Sequence, residues 1–285
     1  MTSPGLISAL DHIVLICPDI EVGVTAYTEL LGREPDWFAS SGGAATAMFR
    51  VENTALELMA PEGDDGVAPR LRELLTEKGP GLISLAFEAD DIGAAHYTFT
   101  RRGLKPDDVA DGASTHLKTG ETRSWKRFRC ADSEMSGIKT FILQHQNSLP
   151  AKPANPGAVS SLDHIVIATP NPDRALGLYG ARLGLDLRLD RTAEQWKTRF
   201  LFFRTGGLTF EVIHRLGETA DPHGPDAVWG LTWAVTDLTT AHARLAAAGL
   251  DISDIRTGRK PGTSVFTVRN GTLGVPTLFI SQSAR

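Results

Sequence analysis

The sequence has little cysteine, no long hydrophobic run and no strong excess of either charge. Only two cysteines occur in 285 residues, which argues against a disulfide framework and for a reducing compartment, so we expect a cytoplasmic protein. No apolar run approaches the roughly 18 residues that a membrane span needs. The first residues show no basic segment followed by an apolar stretch, so no signal peptide is expected either.

Two further absences narrow the function. The formal net charge is −5, and such mild acidity gives no reason to expect nucleic acid or an anionic membrane as a partner. The sequence contains neither a Gly-x-Ser-x-Gly motif nor a phosphate-binding Gly-x-x-x-x-Gly-Lys motif. Serine hydrolase chemistry and nucleotide hydrolysis are therefore disfavoured.

What the sequence does contain is an internal repeat. The string Leu-Asp-His-Ile-Val begins at residue 10 and again at residue 162, and further matches follow in the same order in both halves. Among them, Glu57 between two leucines corresponds to Glu211 between Phe and Val. A length of 285 residues also suits two domains better than one. We therefore predict two copies of one domain, at 1–147 and 161–285, joined by a proline-rich linker at 148–160.

Each half shows a strand, a helix and further strands, and this order then repeats within the half. In the first unit, residues 9–17 predict a strand and residues 19–31 a helix, with Asp19 as its N-cap and Gly32 as its C-cap. The remaining predicted elements of the N-terminal half are strands at 44–51, 54–59, 82–89, 124–130 and 138–145 and a helix at 91–102. The chain is thus predicted to be an α+β protein of four βαβββ modules.

Four βαβββ modules, with Asp-His in the first strand and an acidic residue in a later one, resemble the vicinal-oxygen-chelate superfamily. This superfamily includes glyoxalase I, bleomycin-resistance proteins, methylmalonyl-CoA epimerase and the type I extradiol dioxygenases. The resemblance covers both halves, and it implies that paired modules close a curved sheet around a cleft. It further implies a small-molecule ligand and, where a metal is present, a divalent ion in the cleft. It is also compatible with a homodimer.

The resemblance also implies which residues would hold a metal. Its ligands come from the first and last strands of a module, positions that carry His12 with Glu57 in one half and His164 with Glu211 in the other. Imidazole and carboxylate groups suit Fe, Mn, Ni or Zn.

The second modules do not continue this pattern, because Ser84 and Gly230 occupy the first-strand positions. Three alternatives follow. The two pairs are weak metal sites, or they bind no metal and the Asp-His pair is a buried hydrogen-bonding pair. In the third, the first modules of both halves pair, and all four residues form one site.

Other residues are candidates for binding the substrate. In the C-terminal half we predict that the cleft is lined by Trp196, Arg199, Trp233 and Arg259. In the N-terminal half, strand alternation places Arg123, Trp125, Arg127 and Arg129 on one face, which is either the cleft or the solvent face.

Three functions remain. The first is a glyoxalase-like lyase or isomerase that removes a proton next to a carbonyl group, with Glu211 or Glu57 as the base or a metal ligand. The second is a metal-free protein that sequesters a ligand, as bleomycin-resistance proteins do. The third, an extradiol dioxygenase, needs a carboxylate on the last strand, and the chain has no Asp or Glu beyond Asp254.

Overall fold

The computed structural model describes residues 6–147 and 151–282, and it has two halves built alike. The N-terminal strands are β1 (Ala9–Ile16), β2 (Trp37–Ser41), β3 (Ala44–Val51), β4 (Thr54–Pro61), β5 (Gly81–Glu88), β6 (Ala110–Thr115), β7 (Thr122–Cys130) and β8 (Lys139–His145). The C-terminal strands are β9 (Val159–Ala168), β10 (Asp186–Ala193), β11 (Thr198–Thr205), β12 (Leu208–Arg215), β13 (Ala227–Val235), β14 (Arg256–Thr257), β15 (Thr263–Val268) and β16 (Thr277–Gln282). The helices are α1 (Ile20–Leu31), α2 (Ala68–Lys78), α3 (Ile92–Arg101), α4 (Pro172–Ala175), which a π-helical segment (Leu176–Arg182) continues, and α5 (Leu238–Ala247).

Each half forms one mixed sheet of eight strands. The order is β2-β3-β4-β1-β5-β8-β7-β6 in the N-terminal half and β10-β11-β12-β9-β13-β16-β15-β14 in the C-terminal half. The first strands of the two modules pair antiparallel at the centre, and each is flanked by the parallel last strand of its own module. The predicted α+β fold of four βαβββ modules is confirmed.

This pairing decides one of the alternatives left open by the sequence. The first module of each half pairs with the second module of the same half, through β1 with β5 and β9 with β13. The arrangement in which the two first modules pair and bring four metal ligands together is therefore wrong for this chain.

Local sequence accounts for both ends of helix α1. The Asp19 carboxylate accepts a hydrogen bond from the backbone N–H of Val22 at 2.9 Å, so it caps α1 as predicted. At the other end, Gly32 has φ of 69°, a left-handed conformation that residues with a Cβ rarely adopt.

Helix α2 is a feature that the sequence reading did not predict. It follows β4 and has a proline in its first turn, and Leu71 and Leu74 pack with Ile16 and Ala44 on the open face of the N-terminal sheet. The spacing of these leucines and the N-terminal proline were the available signals. The helix covers one end of the N-terminal cleft.

The two sheets share one hydrophobic core. Alternation along β1 and β4 turns Ile13, Leu15 and Leu56 into this core, so His12 and Glu57 face the other way. Across the two halves, Phe87 stacks on Phe210 with ring centroids 5.5 Å apart, and both are buried. Each cleft therefore lies on the face of its sheet away from the shared core, and both sheets stand between the two clefts.

The connection between the halves differs in detail from the predicted linker at 148–160. Residues 148–150 lie outside the described part of the chain, as do the predicted domain ends at 1–5 and 283–285. Strand β9 already begins at Val159, inside the predicted linker. Beside it, the Asn53 amide donates to the carbonyl of Leu162 at 2.8 Å and accepts from its N–H at 3.0 Å, which joins a turn of one half to a strand of the other. None of the described helices is long and apolar enough to cross a membrane.

Candidate functional site

The C-terminal cleft brings together the predicted pair of His164 and Glu211. They lie on the adjacent parallel strands β9 and β12, and the Nε2 atom of His164 is 3.2 Å from a carboxylate oxygen of Glu211. The hydroxyl of Thr232, on the neighbouring strand β13, is 2.9 Å from the same Nε2 atom. On the other side of the ring, Nδ1 lies 2.7 Å from the Asp163 carboxylate. The imidazole is thus held at both nitrogens.

The charges of this group follow from burial and neighbours. Burial raises the pKa of Asp163, but the hydrogen bond and charge of His164 outweigh it, and the net pKa lies below its usual range. Asp163 is thus a carboxylate that accepts from Nδ1, which leaves Nε2 for Glu211 and Thr232. Burial raises the pKa of Glu211, and the nearby His164 and Arg259 only partly offset this effect. Glu211 therefore binds a proton more readily than an exposed glutamate does.

Two of the predicted substrate-binding residues meet at the mouth of this cleft. The guanidinium of Arg259 lies 4.3 Å from the centre of the Trp196 ring, in a cation–π contact. Trp196 belongs to a short 3₁₀ turn, Glu194–Trp196, next to one edge strand of the sheet, and Arg259 precedes β15 near the opposite edge. At the Asp163 end of the cleft is a cavity of about 530 Å³ whose wall includes Lys260 and Arg204. The cleft is therefore rimmed by cationic and aromatic groups.

The other two predicted substrate-binding residues do not face the cleft, and the prediction is wrong for both. Arg199 shares a face of β11 with core residues and forms ion pairs with Asp190 and Asp173, each at 2.8–2.9 Å. Trp233 is fully buried in the shared core. Both residues lie one strand position away from cleft-facing neighbours, and a shift of one residue moves a side chain to the opposite face of a sheet.

The N-terminal cleft repeats the pair with different surroundings. The Nε2 atom of His12 is 3.5 Å from Glu57, while its Nδ1 atom is 2.5 Å from Asp11. The second oxygen of Asp11 is 2.7 Å from Nε2 of His145. In both halves, therefore, the repeated Asp-His is a hydrogen-bonding pair.

The buried carboxylate of Asp11 sets the charges of this group. Burial raises the pKa of Asp11, but the hydrogen bonds with His12 and His145 outweigh it and hold the pKa well below its usual range. Burial lowers the pKa of His12, but its hydrogen bond to Asp11 and the charges of Asp11 and Glu57 reverse the sign, and the net pKa is raised.

Arg123 is a cleft residue that the sequence analysis did not place. It lies on β7 and is only 7% exposed, and its guanidinium is sandwiched between Trp37 and Trp125 at 5.2 and 5.4 Å from the ring centres. The Nη2 atom is 3.9 Å from Glu57. Edge strands β2 and β6 approach each other around it, which decides that the face carrying Arg123 and Trp125 is the cleft face. The alternation of Arg and Trp along β7 was the available signal.

The donor groups can be compared with what a catalytic metal requires. Such a metal takes three or more protein ligands, and each repeated pair, His12 with Glu57 and His164 with Glu211, places one imidazole beside one carboxylate. In the second modules the corresponding strand positions carry Ser84 and Gly230, and His145 is bonded to Asp11. Over residues 6–147 and 151–282, no group of three His, Cys, Asp or Glu side chains is arranged to hold a metal ion. The residues present do not fit a complete metal site.

Comparisons with known proteins agree with this architecture. A family model described as a glyoxalase-like domain matches residues 10–179. A second, described as the glyoxalase/bleomycin resistance protein/dioxygenase superfamily, matches residues 163–267. A search of curated proteins found no match.

Solved structures show the same fold at low sequence identity. A variant of 4-hydroxymandelate synthase from Streptomyces coelicolor is 16% identical with a TM-score of 0.70, and the match covers 98% of this chain and 94% of that one. A hypothetical protein from Staphylococcus aureus is 11% identical with a TM-score of 0.63, over 96% of this chain and 100% of that one. A fusion of a xylose isomerase-like TIM barrel with 4-hydroxyphenylpyruvate dioxygenase is 14% identical with a TM-score of 0.61, over 99% of this chain and 50% of that one. At these identities the similarity concerns the fold alone.

Proposed function

We propose, since the chain belongs to the glyoxalase-like domain family, that it is an enzyme which removes a proton next to the carbonyl group of a small oxygenated metabolite. The reaction takes place in the C-terminal cleft, and Glu211 is the base. The observation that carries the proposal is the placement of Glu211, a largely buried carboxylate with a raised pKa, 3.2 Å from His164. A carboxylate whose pKa lies closer to neutral pH is a better general base.

The neighbouring residues suit this role. Asp163 and Thr232 hold the His164 ring in one orientation, so its Nε2 atom is fixed beside the carboxylate that receives the proton. Removal of a proton next to a carbonyl leaves negative charge on the oxygen. The cationic side chains at the mouth, Arg259 and Lys260, are placed to offset that charge. Return of the proton to a neighbouring carbon would complete an isomerase step, and loss of a leaving group would complete a lyase step.

Deuterium exchange tests the proton abstraction without knowledge of the product. Dihydroxyacetone, hydroxyacetone and pyruvate are incubated with the protein in D2O, and loss of the proton signal next to the carbonyl is followed by NMR. We expect catalysed exchange with at least one of these compounds, and a decrease of about 100-fold or more in Glu211→Gln, as for removal of a general base.

The matched control is Glu57→Gln, the corresponding change in the other half. It should leave the exchange rate within about threefold of wild type, because the two sheets separate the clefts and distant sites behave independently. A rate lost in Glu57→Gln but kept in Glu211→Gln would move the reaction to the N-terminal cleft. Absence of catalysed exchange with all three compounds would contradict the proposed chemistry.

A metal-free binding protein is the second candidate, and the donor sets favour it. Each repeated pair is one histidine and one glutamate, fewer than a metal-dependent lyase of this fold would use, and His145 of the N-terminal cleft is hydrogen-bonded to Asp11. Under this alternative, a bound carbonyl compound is recovered unchanged and without deuterium after prolonged incubation, while calorimetry still records binding. Dioxygenase chemistry is not proposed, because the last strand, β16, carries no carboxylate.

A further inference from the structure

The arginine of the N-terminal cleft is buried without the partners that a buried charge normally has. Only 7% of the surface of Arg123 is exposed. Its Nη1 atom donates to the sulfur of Met48 at 3.0 Å, and a thioether is a weak acceptor. Its Nε atom is buried with no hydrogen-bond partner among residues 6–147 and 151–282.

The nearest carboxylates do not supply the missing bonds. Glu57 is 3.9 Å from Nη2, beyond hydrogen-bonding distance, and its other oxygen lies 3.5 Å from His12. Both oxygens of Asp11 are occupied by the imidazoles of His12 and His145. A guanidinium taken out of water needs charge-assisted hydrogen bonds to offset its desolvation.

The surroundings of Arg123 indicate the kind of molecule that would provide these bonds. Trp37 and Trp125 flank the guanidinium, and the planar fork of an arginine matches a carboxylate in two parallel hydrogen bonds. The ring of Trp125 is only half-buried, so it offers apolar area to the rest of such a molecule.

We propose that the N-terminal cleft is a second binding site, distinct from the proposed C-terminal active site, and that Arg123 binds the carboxylate group of a small organic acid there. The apolar body of the acid packs against Trp125. The site is independent of the chemistry proposed for Glu211, because the two sheets and their core lie between the clefts.

Binding of benzoate, with neutral benzamide as the comparison, tests this site by isothermal titration calorimetry. We expect the wild-type protein to bind benzoate at millimolar concentration and benzamide at least about tenfold more weakly, since the charge-assisted bonds are lost. Arg123→Gln should lower benzoate affinity by at least about tenfold. Arg123→Lys, which keeps the charge but not the fork, should lower it by a smaller factor.

Two controls locate the effect. Arg127→Gln removes an exposed arginine from the same face of β7 and should leave the affinity for benzoate unchanged. An equal loss of affinity in Arg127→Gln and Arg123→Gln would show only a general effect of charge and would overturn the proposal. Arg259→Gln alters the other cleft, and loss of benzoate binding in that variant alone would also overturn it. So would failure of the wild-type protein to bind benzoate, or equal affinity for benzoate and benzamide. Thermal unfolding of Arg123→Lys and Arg123→Gln checks that both variants fold.

Discussion

The contact between Phe87 and Phe210 predicts that the two halves unfold together. These rings come from different sheets, stack with centroids 5.5 Å apart and are each 1% exposed. Truncating a buried Phe to Ala costs about 3 to 5 kcal/mol, a large share of the roughly 5 to 15 kcal/mol that stabilises a domain. Leucine is therefore the better replacement, since it removes the ring contact and keeps most of the apolar volume.

A double-mutant cycle of Phe87→Leu and Phe210→Leu measures the contact. Aromatic pairs contribute about 0.5 to 1.5 kcal/mol beyond the area that they bury, so the two changes should be coupled by that amount. Urea unfolding is followed by circular dichroism and by tryptophan fluorescence, and we expect one transition that both single variants shift.

The control cycle uses two buried phenylalanines whose aromatic contacts, among the described residues, lie within their own halves. Phe99 contacts Phe128, and Phe203 contacts Tyr179. Phe99→Leu and Phe203→Leu should therefore be additive within about 0.5 kcal/mol. The shared core would be refuted by additive effects of Phe87→Leu and Phe210→Leu. Two separate unfolding transitions, each shifted by the variant in one half only, would refute it as well.

Two further predictions concern the C-terminal cleft. Because the pKa of Glu211 is raised, its contribution to stability is complete at low pH and is lost as the pH rises through its pKa in the folded state. The unfolding free energy of Glu211→Gln should therefore increase relative to that of wild type from acid to neutral pH. A pH-independent difference between the two proteins in urea titrations would contradict this. Elemental analysis of the purified protein should find Fe, Mn, Ni and Zn well below one atom per chain, unchanged in His164→Ala, because no three His, Cys, Asp or Glu side chains of the described residues are arranged to hold a metal ion. A stoichiometric metal lost in that variant would show that the pair of His164 and Glu211 holds one.

Much of the architecture follows from residues close together in the sequence. The repeated Leu-Asp-His-Ile-Val predicted two similar halves, and alternation along one strand predicted that Arg123 and Trp125 share a face. Asp19 and Gly32 predicted both ends of the first helix. These features depend on local backbone geometry and on the two-residue period of a strand, so they can be read without the fold.

The substrate-binding residues were predicted less well for a physical reason. Arg199 and Trp233 lie on strands that border the cleft, but which face of a strand is turned inward depends on register, and one position reverses it. Trp196 and Arg259, by contrast, lie at strand ends and meet across the mouth of the cleft. The partners of Arg123 could not be predicted, because Trp37 and Met48 reach it from another module.

By itself, the sequence determined the fold class and the fourfold module order, and the family resemblance implied the pairing of one His with one Glu in each half. Only the tertiary structure decided that these pairs lie in separate clefts, because strand pairing within each half places two sheets and a core between them. It also decided that Glu211 is buried against His164 while Arg123 is buried without a full partner. The reason is that burial and charge at a site depend on residues brought together from distant parts of the chain.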